Sequence, residues 1–569
     1  MLPGQLFPRQ ISSTTSGKDL ELMQMTGGEA VVHSLAVHNV DTVFGIPGAH
    51  TLALYDALLD AGSIRHIVAR HEQGAAFMAD GYARASGRVG VCLCTSGPAV
   101  LNAVTSLGTA YCDSSPVLCI ASEIPSEMIG KEKGFIHECR DQLACLRPVT
   151  TWCHLAGEVA SIPERMQEAF LKMQEGRPRP AALEIPCDIL DASDSVEIPE
   201  PATWVRRQPS SESIDKAVQL LSQSRRPVIW AGGGVISSGA SSELQEMAEH
   251  MQAPVFTTVL GRGAIAGDHP LSAGSAMIHP AAREFVAGCD VMLAVGTRFT
   301  EEEAIGWTLR LPDTLIHVDI DSQEMGRNYL PTVAVVGDAR ESLRQLNEGL
   351  GATHAKEVEA RDGEVAQLRQ QIIDDCRQIA PQGVQLVETL QSALPREAII
   401  VSDLTLAAYW CRRLLDVYEP RTNIYPWGFC TLGFGVSAGI GAKAARPDCP
   451  VVVISGDGGF LFNCQELATA VQFELPIVIL LFNNNSYGVL KPQQQVRYGR
   501  TLGVDLVNPD FVALAESFGC QGQRVTSLGQ LGPAVSRALE SDRTWVIEVT
   551  CDVPLQIMEP GPRSLHAAL

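Results

Sequence analysis

The densest chemical signal in the chain is Gly456-Asp457-Gly458-Gly459, followed by Asn483-Asn484-Asn485. Each group closes an apolar run, 450–455 and 477–482, and both runs read as buried strands. In a doubly wound sheet, neighbouring strand ends face one crevice, where ligands bind. Asp457 and Asn484, 27 positions apart, would bring a carboxylate and an amide oxygen to that crevice. Hard oxygen ligands beside glycines that expose N–H groups suit a magnesium ion bridging a diphosphate. Two ordinary polar turns after strands are the plainer alternative.

Two further strings carry candidate chemistry. In Arg70-His71-Glu72-Gln73-Gly74, Glu72 stands where a strand meets an apolar-faced helix. A carboxylate there could do proton chemistry or simply favour the positive end of the helix. Gly428-Phe429-Cys430-Thr431-Leu432-Gly433-Phe434-Gly435 runs into Ser437-Ala438-Gly439-Ile440-Gly441-Ala442. Small residues at this density let helix, sheet and ligand approach closely. A loop entering a tightly packed helix satisfies the same pattern.

These residues must be positioned by α/β units. Short apolar runs alternate with helical periodicity in three blocks, which predicts three doubly wound parallel-sheet domains. The boundaries read as a disordered tail over 1–24 and an N-terminal domain over 25–193. A linker follows over 194–213, then a central Rossmann-like domain over 214–350. A connector spans 351–381, a C-terminal domain 382–553, and a tail 554–569. Strands are expected at 42–46, 64–69, 89–95, 116–121 and 181–185, with helices over 73–85 and 99–111. In the second block they fall at 227–231, 254–257, 291–295, 315–319 and 333–336. In the third they fall at 398–402, 450–455, 477–482 and 544–549. Gly232-Gly233-Gly234 reads first as a tight strand-to-helix turn, although such a turn can cradle phosphate. The charged stretch 357–378 reads as a helical connector.

Composition excludes several classes. The 569 residues are 46% hydrophobic and 19% charged, so large cores can form and wholesale disorder is excluded. A net charge of −22 disfavours nucleic acid and anionic membrane surfaces as partners. No apolar run approaches the roughly 18–20 residues of a membrane span. The N-terminal stretch lacks an apolar h-region, and a cytoplasmic location is the expectation. Sixteen cysteines without a CxxC pair read as reduced, small apolar residues. No HExxH or similar spacing points to zinc.

In this order, and with a middle domain between them, the motifs resemble the thiamine diphosphate enzymes of the acetolactate synthase and pyruvate decarboxylase superfamily. Similar text covers about residues 25 to 553, including FGIPGAHTLALYDAL, RHEQGAAFMADGYARASG, TSGPAVLNAVTSLGTAY, IHVDID, VVGDARE and NPDFVALAESFG. GIPGAHT, HEQG, His137-Glu138-Cys139-Arg140-Asp141-Gln142 and SDLTLAAY most resemble the acetolactate synthase-like 5-guanidino-2-oxopentanoate decarboxylases.

The resemblance implies an aminopyrimidine-binding N-terminal domain and a diphosphate- and magnesium-binding C-terminal domain. It implies that Glu72 bonds the aminopyrimidine ring and tunes its tautomer. Leu432 would bend the cofactor, and the Cys430 carbonyl would accept from the ring amine. Asp457, Asn484 and the Ser486 carbonyl would hold magnesium, and the N–H groups of Gly458 and Gly459 the diphosphate. The implied chemistry is non-oxidative decarboxylation of a 2-oxo acid through a ylide and an enamine. Carboligation or lyase chemistry, of acetolactate synthase or benzaldehyde lyase type, is the alternative fate. A homodimer or homotetramer is implied, with the site between subunits.

Substrate choice is expected to rest on His50, His137, Glu138, Tyr409, Tyr487 and Lys491. Glu138 or Asp141 could receive a cationic tail by charge-assisted hydrogen bonds. The pattern departs in two places. Leu406 and Ala407 stand where a glutamine is usual, and Asn485-Ser486-Tyr487 replaces more usual triplets. Gly296-Thr297-Arg298-Phe299-Thr300-Glu301 is near a flavin-contacting string whose wider motif is missing, so FAD is not counted among the cofactors.

Overall fold

The computed structural model describes residues 22–353 and 359–554. Each of the three blocks forms a six-stranded parallel sheet with helices on its faces. The N-terminal sheet comprises β2 (Thr42–Gly45), β3 (Arg65–Val68), β4 (Gly90–Cys94), β5 (Val117–Glu123), β6 (Trp152–Leu155) and β7 (Ala181–Pro186). Their order is β3-β2-β4-β5-β7-β6. The central sheet contains β9 (Pro227–Ala231), β10 (Val255–Thr257), β11 (Ser272–Gly274), β12 (Val291–Val295), β13 (Thr314–Asp319) and β14 (Val333–Val336). They run β11-β10-β9-β12-β13-β14. The third sheet contains β15 (Ile399–Ser402), β16 (Asn423–Ile424), β17 (Val451–Gly456), β18 (Val478–Phe482), β19 (Gln521–Val525) and β20 (Trp545–Val549), ordered β16-β15-β17-β18-β20-β19. The middle strands β17 and β18 are buried throughout and mostly apolar because both faces are covered.

Two expectations need correction. β1 (Met23–Thr26) pairs antiparallel with β8 (Ser193–Val196). The end of the expected tail and the start of the expected linker are therefore strands. Each is four residues long and largely exposed, so neither carries a readable apolar period. The strands missed in the three sheets, β6, β11, β16 and β19, all lie at sheet edges. The connector also does more than span. Its described part, helix Asp362–Ile379, buries Val365, Leu368, Ile372 and Cys376 in a core shared by the central and C-terminal domains. The start of the expected connector helix and both chain ends fall outside the described residues.

None of the sixteen cysteines is joined in a disulfide, and eight are buried. Cys92, Cys94 and Cys119 share one face of β4 and β5, with sulfurs within 4.8 Å of one another. No helix among the described residues is long and apolar enough to cross a membrane.

The N- and C-terminal domains meet through helices Glu72–Ser86 and Phe434–Ala445. Their backbones touch. A Cβ on Gly81 would lie 2.1 Å from the Ala438 carbonyl oxygen, and one on Gly441 1.9 Å from that of Met78. The Phe434 ring meets Phe77 edge-on at 5.3 Å, and the Arg84 guanidinium lies 5.3 Å from the same ring. Gly441→Val should therefore lower stability by ~2 kcal/mol or more, because the helices must part to admit the side chain. Urea unfolding checks this, and a wild-type midpoint would show that the two backbones do not touch in solution.

Candidate active site

Asp457 opens a short helix at the end of β17, and Asn483–Asn485 follow β18, its neighbour in the sheet. Topology thus brings both motifs to one crevice. The Asp457 carboxylate is buried and accepts from Asn508 Nδ2 at 2.7 Å. The same amide lies 2.9 Å from Asn483 Oδ1 and 3.3 Å from Asn485 Oδ1. Burial pushes the Asp457 carboxyl up, while Asn508 and surrounding backbone N–H groups pull it down. Asn484 Oδ1 accepts from the Ser486 N–H and hydroxyl at 3.1 and 3.2 Å. Beside them, Gly458 faces the Tyr487 ring and Gly459 faces Asp403, where added Cβ atoms would lie at 2.7 and 3.1 Å. Asn508 belongs to the NPDF string, but its own role was not foreseen.

Glu72 begins its helix directly after β3, and His71 caps it by accepting from the Gln73 N–H. The carboxylate is half-buried and accepts from Asn102 Nδ2 at 2.9 Å. Asn102 sits on helix Pro98–Asp113. Seven residues along that helix, ~10 Å of rise, Thr109 bonds Thr431 at 2.8 Å. Glu72 and the loop that carries Cys430 and Leu432 are thus held at different levels of one helix within a chain.

That loop is fixed by two buried acids. Asp113 accepts from the N–H groups of Trp427 and Gly428 at 2.9 and 2.6 Å and pairs with Arg84 at 3.1 Å. Cys430 follows with φ at 51°, a left-handed conformation costly for a side chain bearing Cβ. Beyond Leu432, Asp403 accepts from the N–H groups of Gly433 and Gly435 at 3.1 and 3.4 Å, and from Leu404 at 2.8 Å. Burial pushes the Asp403 carboxyl up to about 6. Nothing in the local sequence marked Asp113 or Asp403, since each acts on backbone distant in the chain.

The remaining candidates divide. His50 follows β2, and its Nδ1 lies 2.5 Å from the Ser96 hydroxyl beyond β4. Its ring is 5.3 Å from that of His137 and 6.0 Å from Phe135. Burial, then the nearby His137, lower the His50 pKa. Glu138 Oε2 accepts from the N–H groups of Gly134 and Phe135 at 2.7 and 2.9 Å. Asp141 caps helix Gln142–Leu146. Glu123, at the end of β5, is buried, and its carboxyl is pushed up by burial, with Glu138 adding to the shift. Tyr409 stacks on Arg412, and Lys491 pairs with Asp505 at 2.6 Å.

Three family models match in order. Residues 25–145 match the N-terminal TPP binding domain of thiamine pyrophosphate enzymes. Residues 214–346 match their central domain, and 403–549 their C-terminal TPP binding domain. The chain belongs to the thiamine pyrophosphate enzymes. It is 40% identical to a probable 2-ketoarginine decarboxylase of Pseudomonas aeruginosa, over 89% of this chain and 90% of that protein. It is 37% identical to a probable acetolactate synthase large subunit of Methanocaldococcus jannaschii, over 95% and 94%. The large subunit of acetolactate synthase isozyme 3 of Escherichia coli is 34% identical, over 94% and 97%.

Thiamine diphosphate fits the residues present in this thiamine pyrophosphate enzyme. The crevice offers a buried carboxylate, two amide side chains and a glycine pair whose missing side chains leave room before Tyr487 and Asp403. Gly232 and Gly234 serve the packing of the central domain, where Cβ atoms would collide with Gly296. The same turn borders a cavity of about 680 Å³ lined by Arg177, Gly233, Gly234, Arg298 and Asp319 among others. Asp403→Ala should weaken thiamine diphosphate binding about tenfold or more, because buried N–H groups beside Leu432 lose their acceptor. Titration calorimetry checks this, and an unchanged Kd would mean that Asp403 does not shape the site.

Proposed function

We propose that the chain is a magnesium-dependent 2-oxo acid decarboxylase that favours a substrate with a cationic tail, such as 5-guanidino-2-oxopentanoate. The reaction takes a 2-oxo acid and a proton to an aldehyde and carbon dioxide. It has no net redox change and needs no flavin. Bound thiamine diphosphate supplies a carbon nucleophile and an electron sink for decarboxylation.

The chain's own groups then have distinct tasks. Asp457, Asn484 and the Ser486 carbonyl hold magnesium, and the Gly458 and Gly459 N–H groups orient the diphosphate. Leu432 would pack against the cofactor, and the Cys430 carbonyl would accept from its amine. Glu72 holds a proton at the aminopyrimidine ring nitrogen. His50, paired with Ser96, and His137 serve proton transfer at the substrate end.

The observation that carries this reading is the grouping at the ends of β2, β4 and β5. Two histidines and Ser96 stand there with Glu123 and Glu138, carboxylates close enough to affect one another. Paired acids suit a guanidinium. Similarity to the probable 2-ketoarginine decarboxylase supports the same choice. Carboligation of the acetolactate synthase type is the second reading, favoured by the synthase relatives that align along almost the whole chain.

A homodimer is part of the proposal. Glu72 is partly open to solvent, and apolar Leu101, Phe429, Leu461 and Phe462 are exposed on the same two domains. A second copy would cover them and bring its metal crevice to Glu72. We place the enzyme in the cytoplasm.

Purified protein with thiamine diphosphate and magnesium, offered pyruvate or 5-guanidino-2-oxopentanoate, tests the reading. The expected result is carbon dioxide and aldehyde from the guanidino acid with little turnover of pyruvate. Glu138→Gln should narrow that preference. Acetolactate or another coupled product from pyruvate would overturn the decarboxylase reading in favour of a carboligase.

A further inference from the structure

Glu466 lies nine residues beyond Asp457, in the turn Cys464–Glu466 that follows the metal-motif helix. Its relative exposure is 0%. A carboxylate this deep is costly unless its oxygens are satisfied. Three donors make four contacts with it, and three of those contacts cross to the other domain. Arg70 N–H lies 3.0 and 3.1 Å from the two oxygens, and His71 N–H lies 3.0 Å from Oε1. The Thr469 hydroxyl, from the same segment, donates at 2.7 Å. Arg70 and His71 are the two residues before Glu72, and β3 has already ended at Val68. Glu466 thus gives the strand-to-helix turn an acceptor that neither the strand nor the helix supplies.

The rest of the contact has the same direction. Arg70 Nη2 donates to Gln472 at 2.5 Å and Arg65 donates to the Phe473 carbonyl at 2.9 Å, while the Thr469 hydroxyl that serves Glu466 also lies 3.3 Å from the Val68 carbonyl. Gly74 completes the fit. A Cβ there would lie 2.5 Å from Glu466 Oε1, so the glycine of the His71–Gly74 string makes room for the carboxylate. By contrast, the Glu72 side chain has one hydrogen-bond partner among the described residues, Asn102. Its position therefore depends on the backbone beneath it.

We propose that Glu466 is the positioning residue for Glu72, holding its turn from the metal-binding segment through the Arg70 and His71 N–H groups. The proposal rests on the assignment of Glu72 to the cofactor. With the site shared between two copies, it makes the metal segment of one site and the Glu72 lent to the other a single mechanical piece.

Glu466→Ala, Glu466→Gln and Glu72→Gln, as full-length proteins with thiamine diphosphate and magnesium, test this. The readouts are kcat, KM, cofactor Kd and the rate at which the thiazolium C2 proton of bound cofactor exchanges with deuterium. Glu466→Ala should slow exchange and kcat together by ~100-fold, the scale of a misplacement of about 1 Å, with KM and Kd little changed. Glu466→Gln keeps one acceptor oxygen and should fall between Glu466→Ala and wild type. Should Glu466→Ala fail to fold, Glu466→Gln decides: slowed exchange supports the proposal and a wild-type rate overturns it. A wild-type exchange rate in folded Glu466→Ala, with Glu72→Gln slow, overturns the positioning role alone. A wild-type rate in Glu72→Gln removes the Glu72 assignment and this proposal with it.

Discussion

The contact between helices Glu72–Ser86 and Phe434–Ala445 is made backbone against backbone, through Gly81 and Gly441, and it fixes how the two outer domains meet. One helix begins with Glu72, and the other is entered from the loop that carries Cys430 and Leu432. The same contact sets the charges. Arg84 is buried on the first helix with Asp80 and Asp113, and Asp113 in turn holds the Trp427 and Gly428 N–H groups. Removing one member of such a set strands a charge in the interior, which is far more disruptive than losing a surface pair. Helix packing and loop geometry are therefore one constraint.

The two halves of the site are built differently. The proposed cofactor half would rely on strand ends, glycines and backbone N–H groups, because a diphosphate and a metal need ligands that do not move. The substrate half, as proposed, would rely on side chains of loops after β2, β4 and β5, where His50, Ser96 and His137 lie together. Such loops can change without disturbing the sheet beneath. This is consistent with a family whose members share a cofactor and differ in what they do with the substrate.

Much of this was legible in the chain. The Asp457 and Asn484 motifs announced themselves because each follows an apolar strand, and parallel topology leaves such ends facing one crevice. His50 and His137 were singled out from separate strings, and the fold brings their rings together. Asn508, Asp403 and Glu466 were not foreseen. Each is a common polar residue whose partner is remote: Asn508 reaches Asp457 across 51 positions, and Glu466 reaches Arg70 across 396. Strands β1 and β8 escaped for a related reason. Each is short and half-solvated alone, and only pairing defines it.

The sequence by itself determined the parallel α/β architecture, the cofactor class and the kind of atom offered at each motif. The architecture and the atoms follow from side-chain chemistry and from periodicities that repeat over a few residues, and the cofactor class from the resemblance of the motifs to the thiamine diphosphate enzymes. Only the tertiary structure decided how the acids around the site are used. Glu138 has one oxygen tied to the N–H groups of Gly134 and Phe135, whereas Glu466 is turned wholly to the Glu72 turn and its own Thr469. A buried carboxylate must find donors, and which donors lie within 3 Å is settled by chain crossings that no local pattern records.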